Sequence, residues 1–166
     1  MLAGSGASAD AAGYRVSDTR GRLVGPFNAW LRTPALAQAL ATWAAAISEA
    51  PLSAELREVV ILTTGAHWQA GYALDAHSKA ARMVGLSERD IDALARGDAP
   101  VDVSPQALLG HRVAAALVRG WPVDQSLYDE AIDSLGVDAL VALIALAGQY
   151  GHTSMVLTCF KVPVPA

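Results

Sequence analysis

From Thr33 onward the chain is divided by one recurring device: a Ser, Thr or Asp ahead of an apolar-periodic run, often with proline in the first turn, and glycine or proline where the run stops. These are the residues that satisfy, or do without, the backbone groups a helix leaves unpaired at its ends. β-Branched runs that would compete as strands are few, so the punctuation predicts an all-α chain. Thr33-Pro34 opens a helix through about Glu49, with Leu36, Leu40, Trp43 and Ile47 on one apolar face, and Pro51 stops it. Ser53 caps a second helix carrying Leu56, Val59, Val60 and Leu62, and Gln69 to Gly71 is the expected break before a third that ends at Gly85. Ser87, with Asp90 three residues on, opens a fourth, closed near Gly97, whose charged residues read as a solvated face. Pro105 to Gly120, Asp124 to Leu135 and about Asp138 to Phe160 complete the series, and the VPVP that follows forbids further helix.

A length of 166 residues suits one core. Residues 1–20, rich in Ala, Gly and Ser at the start, are expected to form a flexible tail, and residues 21–166 the single domain. Apolar residues make up 53% and charged ones 17%, more apolar than an ordinary soluble monomer; the surplus is expected in subunit interfaces. A net charge of −4 without a dense basic stripe makes nucleic acid an unexpected partner. One cysteine, Cys159, cannot form an internal disulfide, and the beginning of the chain lacks the basic and apolar regions of a secretory signal, so a cytoplasmic location is expected. The stretch from Ala139 to Phe160 is long and apolar, but Gly148, Gln149, Gly151 and His152 interrupt it, and it reads as a buried helix rather than a membrane span.

Chemistry is concentrated between Glu58 and Ala81. Glu58 places an ionisable group in an apolar run, and His67, Trp68, Tyr72, Asp75 and His77 follow within a helix's length. Glu58, His67, Asp75 and His77 are metal-ligand types, but their spacing does not bring them to one helical face, and no metal site is expected. In the last helix Gln149, Tyr150 and His152 are polar groups that need partners, which makes them candidates for the far wall of a pocket.

REVVILTTGAHW, the Tyr72 to His77 segment, HSKAARMVGLS and the closing LTCFKVPVP together resemble the carboxymuconolactone decarboxylase and AhpD-like superfamily, over roughly Phe27 to Pro163. The likeness is greatest to its cysteine-free branch. The resemblance implies an AhpD-like helical bundle that assembles into homo-oligomers, often trimers or hexamers. It also implies roles: Glu58 falls on the family glutamate and His77 on the family histidine, while the two cysteines of the peroxidase branch fall on Ala70 and Ala73. A thiol peroxidase needs a thiolate and a resolving thiol, so peroxidase chemistry is disfavoured here. Cysteine-free relatives usually carry Glu and Trp after the tyrosine, where this chain has Ala73 and Leu74. Residues 70, 73 and 77 share a helical face, and small side chains there predict an apolar cavity beside His77.

The expected function is cofactor-independent acid/base catalysis, of decarboxylase, isomerase or lyase type, on a small hydrophobic organic acid, lactone or enolisable carbonyl compound. Glu58 and His77 would move protons and Tyr72 would donate to a developing oxyanion, with His67, Trp68, Ala70, Ala73, Gln149, Tyr150 and His152 contacting substrate. The alternative from another class is a noncatalytic oligomeric binder of apolar ligands or a partner-stabilising protein, which would gain nothing from the Glu58 carboxylate.

Overall fold

The structure, a computed structural model, describes Ser17 and residues 20–164. The expected tail lies almost wholly outside the described residues. Among the described residues eight helices follow in order: α1 (Phe27–Trp30), α2 (Pro34–Ser48), α3 (Ala54–His67), α4 (Gly71–Met83), α5 (Glu88–Arg96), α6 (Pro105–Val118), α7 (Gln125–Leu135) and α8 (Val137–Cys159). Among the described residues the β structure is limited to one isolated bridge, Ser17 with Leu23. The all-α expectation therefore holds. The side chains of Ser53, Ser87, Ser104 and Asp124 accept the third backbone N–H of the helices they precede, at 2.8 to 3.2 Å. Thr33 does not act as a cap: its hydroxyl donates backward to the Trp30 carbonyl, at 3.4 Å, and Pro34 alone opens α2.

Helix α3 is the axle of the fold, packed by α4, α5, α6 and α8. Its run Val59, Val60, Ile61, Leu62 is buried at every position because neighbours surround it. Val60 and Ile61 join Leu56, Leu109, Val113, Leu143 and Leu146 in the larger core, while Val59 and Leu62 look the other way, toward Ala81, Leu86, Ile91 and Leu94. Gly110 on α6 permits this packing, since a Cβ there would strike the end of Leu56.

Three expectations need correction. Of the apolar face assigned to α2 only Ile47 is buried; Leu36 and Trp43 stand half exposed, because within the chain this helix has a neighbour on one side. The long helix α8 is likewise buried on one face, whereas Val137, Val141, Ile144 and Met155 lie outside. By length and composition it could cross a membrane, and half of its apolar window is packed inside the fold. Finally, the charged face of α5 is not wholly solvated. Asp90 is fully buried, accepting from the Ser87 hydroxyl at 2.6 Å and from the backbone N–H groups of Val101 and Asp102 at 2.6 and 3.2 Å.

Candidate active site

Because α3 is wrapped on all sides, the carboxylate of Glu58 has little access to water, 14% of its side-chain area, and needs a partner inside. The turn after α3 supplies one. Gln69 takes a left-handed conformation, φ 50°, and the Ala70 N–H closes back on the Gly65 carbonyl at 3.0 Å, reversing the chain so that α4 returns along α3. Two turns into α4, His77 donates from Nδ1 to Glu58 Oε2 at 2.9 Å. The carboxylate thus selects the tautomer whose lone pair lies on Nε2. From α8 the ring of Tyr150 meets the imidazole edge to face, with centroids 4.8 Å apart and planes at 90°.

His77 forms part of the wall of a cavity of about 590 Å³. Ala73, Ala76 and Tyr72 adjoin it on α4, with Gln149, Tyr150, Thr153 and Leu157 from α8 on another side. Ala37, Leu40, Ala41, Ala44 and Ala45 of α2 close it, and Phe27, Trp30 and Leu31 cover one end. A cavity beside His77 is what the small residues of α4 led one to expect, and alanines on α2 widen it. Tyr72 is buried, and Gly25, at φ 67°, leaves room for its ring where any Cβ would collide with it.

Of the residues singled out in the sequence, Tyr72, Ala73, His77, Gln149 and Tyr150 meet at this cavity. Glu58 stands behind His77 and is not part of the lining, so it reaches a ligand through the imidazole. Ala70 packs with Tyr72, Ala73 and Leu157, which line the cavity, but is not itself part of the lining. His67 is exposed and packs edge-on against Trp68, 5.4 Å between centroids; neither lines the cavity. His152 stacks on Trp30 at 6.3 Å, beside the cavity rather than in its wall. Sequence reading missed Trp30 and the alanines of α2, which carry no chemical signal until α2 is folded over α4 and α8.

Other partners of Glu58 that charge alone would suggest are engaged elsewhere. Arg82 binds Glu88 through two hydrogen bonds, at 2.5 and 2.9 Å. Arg57 donates to the carbonyls of Ile47, Ser48, Ala50 and Leu52 at 2.6 to 3.2 Å, holding the C-terminus of α2 against α3. Burial pulls the Arg57 guanidinium below its ordinary range, an effect opposed by the nearby Glu58 and Tyr150. Among the described residues no three His, Cys, Asp or Glu side chains gather to hold a metal ion.

A helical fold among the described residues, with an imidazole on the wall of a mostly apolar cavity and a carboxylate paired behind it, defines the class. The chain belongs to the carboxymuconolactone decarboxylase family, whose model matches residues 34–117, from the start of α2 almost to the end of α6. Two solved structures share the fold. One is a protein of unknown function from Agrobacterium tumefaciens, described as a putative antioxidant defence protein AhpD, with 15% identity and a TM-score of 0.74 over 84% of this chain and 97% of that one. The other is a variant of the debrominase Bmp8 in complex with 2,3,4-tribromopyrrole, with 16% identity and a TM-score of 0.73 over 88% of this chain and 79% of that one. No protein of curated function matches the sequence.

Proposed function

We propose that the protein is a cofactor-independent acid/base enzyme that moves a proton on a small hydrophobic substrate held in the cavity. One observation carries the reading: the His77 Nδ1 to Glu58 Oε2 hydrogen bond of 2.9 Å, set so that the imidazole and not the carboxylate faces the cavity. His77 Nε2 accepts a proton from an acidic carbon of the substrate, Glu58 stabilises the imidazolium that forms, and the same proton is returned to another atom. Isomerisation, elimination and lactone opening share this step. Tyr72, in the cavity wall, is the donor to the oxyanion. Glu58 is therefore a positioning residue and His77 the catalytic one. Membership of a family named for a decarboxylase, and a debrominase of like fold solved with a small ring compound, agree with an enzyme acting on such molecules.

Peroxidase chemistry has no support at this site, because Ala70 and Ala73 stand where thiols would be required and Cys159 is exposed on the last turn of α8. The noncatalytic alternative rests on the apolar lining alone and leaves the partly buried Glu58–His77 pair without a purpose. We further propose a cytoplasmic homo-oligomer of three or six subunits, supported by the apolar residues Val137, Val141 and Ile144 on the outer face of α8.

The function is tested by incubating the protein with a metabolite extract of its host beside Glu58→Gln and His77→Ala, and comparing all three by chromatography and mass spectrometry. A compound converted by the unaltered protein, about 10²- to 10⁴-fold more slowly by either variant, supports the reading. A compound retained unchanged by all three proteins points to the binding module instead.

A further inference from the structure

The cavity beside His77 is larger than a single ring needs. A dry apolar cavity of about 150 Å³ is enough to hold benzene, and this one measures about 590 Å³. It falls within the range of about 300–1,000 Å³ in which pockets bury most of the surface of much larger organic molecules. One ring placed against His77 would leave the rest of the space to water held against Phe27, Leu31, Leu40 and Leu157, an arrangement that the hydrophobic effect opposes.

The space exists because particular side chains are small. Ala37, Ala41, Ala44 and Ala45 recur at three- and four-residue steps on one face of α2 and share the cavity wall with Ala73 and Ala76 of α4. A tightly packed neighbour does not impose that size: Ile47 is the one buried residue of α2, and Ala41 and Ala45 are exposed although they line the cavity. Leucine is close to alanine in helix propensity and would bury further apolar area there, so the alanines cost the fold stability that filling the space would recover. From Ala37 to Ser48 the lining runs about 16 Å along α2, at 1.5 Å per residue. Such a length suits fused rings in a row better than one ring alone.

We infer that the cavity takes a mostly apolar substrate of two or three fused rings, and that Ala41 and Ala44 set this size. Resting on the cavity as the substrate site of the Glu58–His77 pair, this size class puts the reacting carbon against the imidazole and the remaining rings along α2.

The test is equilibrium dialysis against three methyl ketones that differ by one fused ring at each step: acetophenone, 2-acetonaphthone and 2-acetylphenanthrene. Affinity should rise about tenfold or more with each added ring, because each buries further carbon. Ala41→Leu and Ala44→Leu, made singly and together, extend side chains into the space while keeping helix propensity, and circular dichroism confirms that each variant is folded. The double variant should bind the two larger ketones about tenfold or more weakly, and each single variant should lose part of that affinity, while acetophenone binds as before or more tightly. Binding of 2-acetonaphthone no tighter than that of acetophenone would overturn the inference. So would a gain per ring that persists undiminished in the double variant, since the larger ketones would then be held elsewhere. Glu58→Gln separates this failure from that of the catalytic reading: Glu58 lies outside the cavity wall, so its loss should stop conversion and leave the order of ketone affinities intact. Conversion that survives Glu58→Gln and His77→Ala sinks the catalytic reading while the three affinities still decide the size class.

Discussion

Asp90 shows how much a single side chain contributes outside the site. Burial would by itself raise its carboxyl, yet the Ser87 hydroxyl, the N–H groups of Val101 and Asp102 and the charge of Arg89 outweigh it, and the group is held below the usual carboxylate range. Replacing it with alanine strands those donors, and Asp90→Ala should cost about 2–4 kcal/mol in urea denaturation; a change near zero would show that the loop finds other partners. Nothing adjacent in sequence announced this role, because Val101 and Asp102 lie beyond α5 and are brought back by the fold. His111 is a second case, its Nδ1 2.9 Å from the Thr63 hydroxyl in the interior. Burial, and then the charge of Arg119, push its imidazole below the ordinary 6.5. The unfolded chain therefore binds the proton more readily. Stability contributed by neutral His111 is complete above the unfolded value and is lost as pH falls below about 6.5. Denaturation midpoints should drop between pH 7.5 and pH 5, and His111→Gln, which keeps a polar partner for Thr63, should flatten that dependence. An unchanged slope in the variant would assign the pH effect to other groups.

The elements were legible in the sequence because their ends are chemical. Ser53, Ser87 and Asp124 do cap helices, Ser104 ahead of Pro105 is a further cap that the reading did not assign, and the break at Gln69 to Gly71 falls where α3 stops and α4 begins. Which face of each helix would be covered was less legible: a 3.6-residue period marks an apolar side without saying whether this chain or another buries it. Leu36 and Trp43 carry the same periodic signal as Ile47, yet only Ile47 lies inside. Close packing between elements left a fainter trace, a glycine in mid-helix. Gly110→Ala gains about 1 kcal/mol of helix propensity, but its methyl would press on Leu56, with Leu143 and Val60 next to it, all buried. Overpacking of that kind costs about 1–3 kcal/mol, so the variant should be destabilised by up to about 2 kcal/mol net. A stabilised Gly110→Ala protein would mean that α6 has room to shift away from α3.

At the scale of the whole molecule, the site depends on three remote parts of the chain meeting. The pair comes from α3 and α4, the far wall from α8, and the cover from α1 and α2. Glu58, Tyr72, Ala73 and His77 could be named in advance because they are close in sequence. The contribution of Trp30 could not, since it depends on where α1 comes to rest. The exposed apolar face of α8 leads to a further expectation, that the 17.2 kDa chain sediments as a multiple of its mass. Val141→Arg with Ile144→Arg should shift it toward the monomer; a wild-type protein that is monomeric at tens of micromolar would remove the proposed assembly.

The central claim is that His77, oriented by Glu58, exchanges a proton with carbon in the cavity. It is tested most directly by following deuterium incorporation from D2O into the α-positions of 2-tetralone, a neutral enolisable probe, by NMR at a probe concentration shown by titration to occupy the cavity. The unaltered protein should accelerate exchange over buffer, with His77→Ala and Glu58→Gln each losing about 10²- to 10⁴-fold of that acceleration and the double variant little more. Exchange by His77→Ala as fast as by the unaltered protein, with the probe bound to both, would contradict the claim.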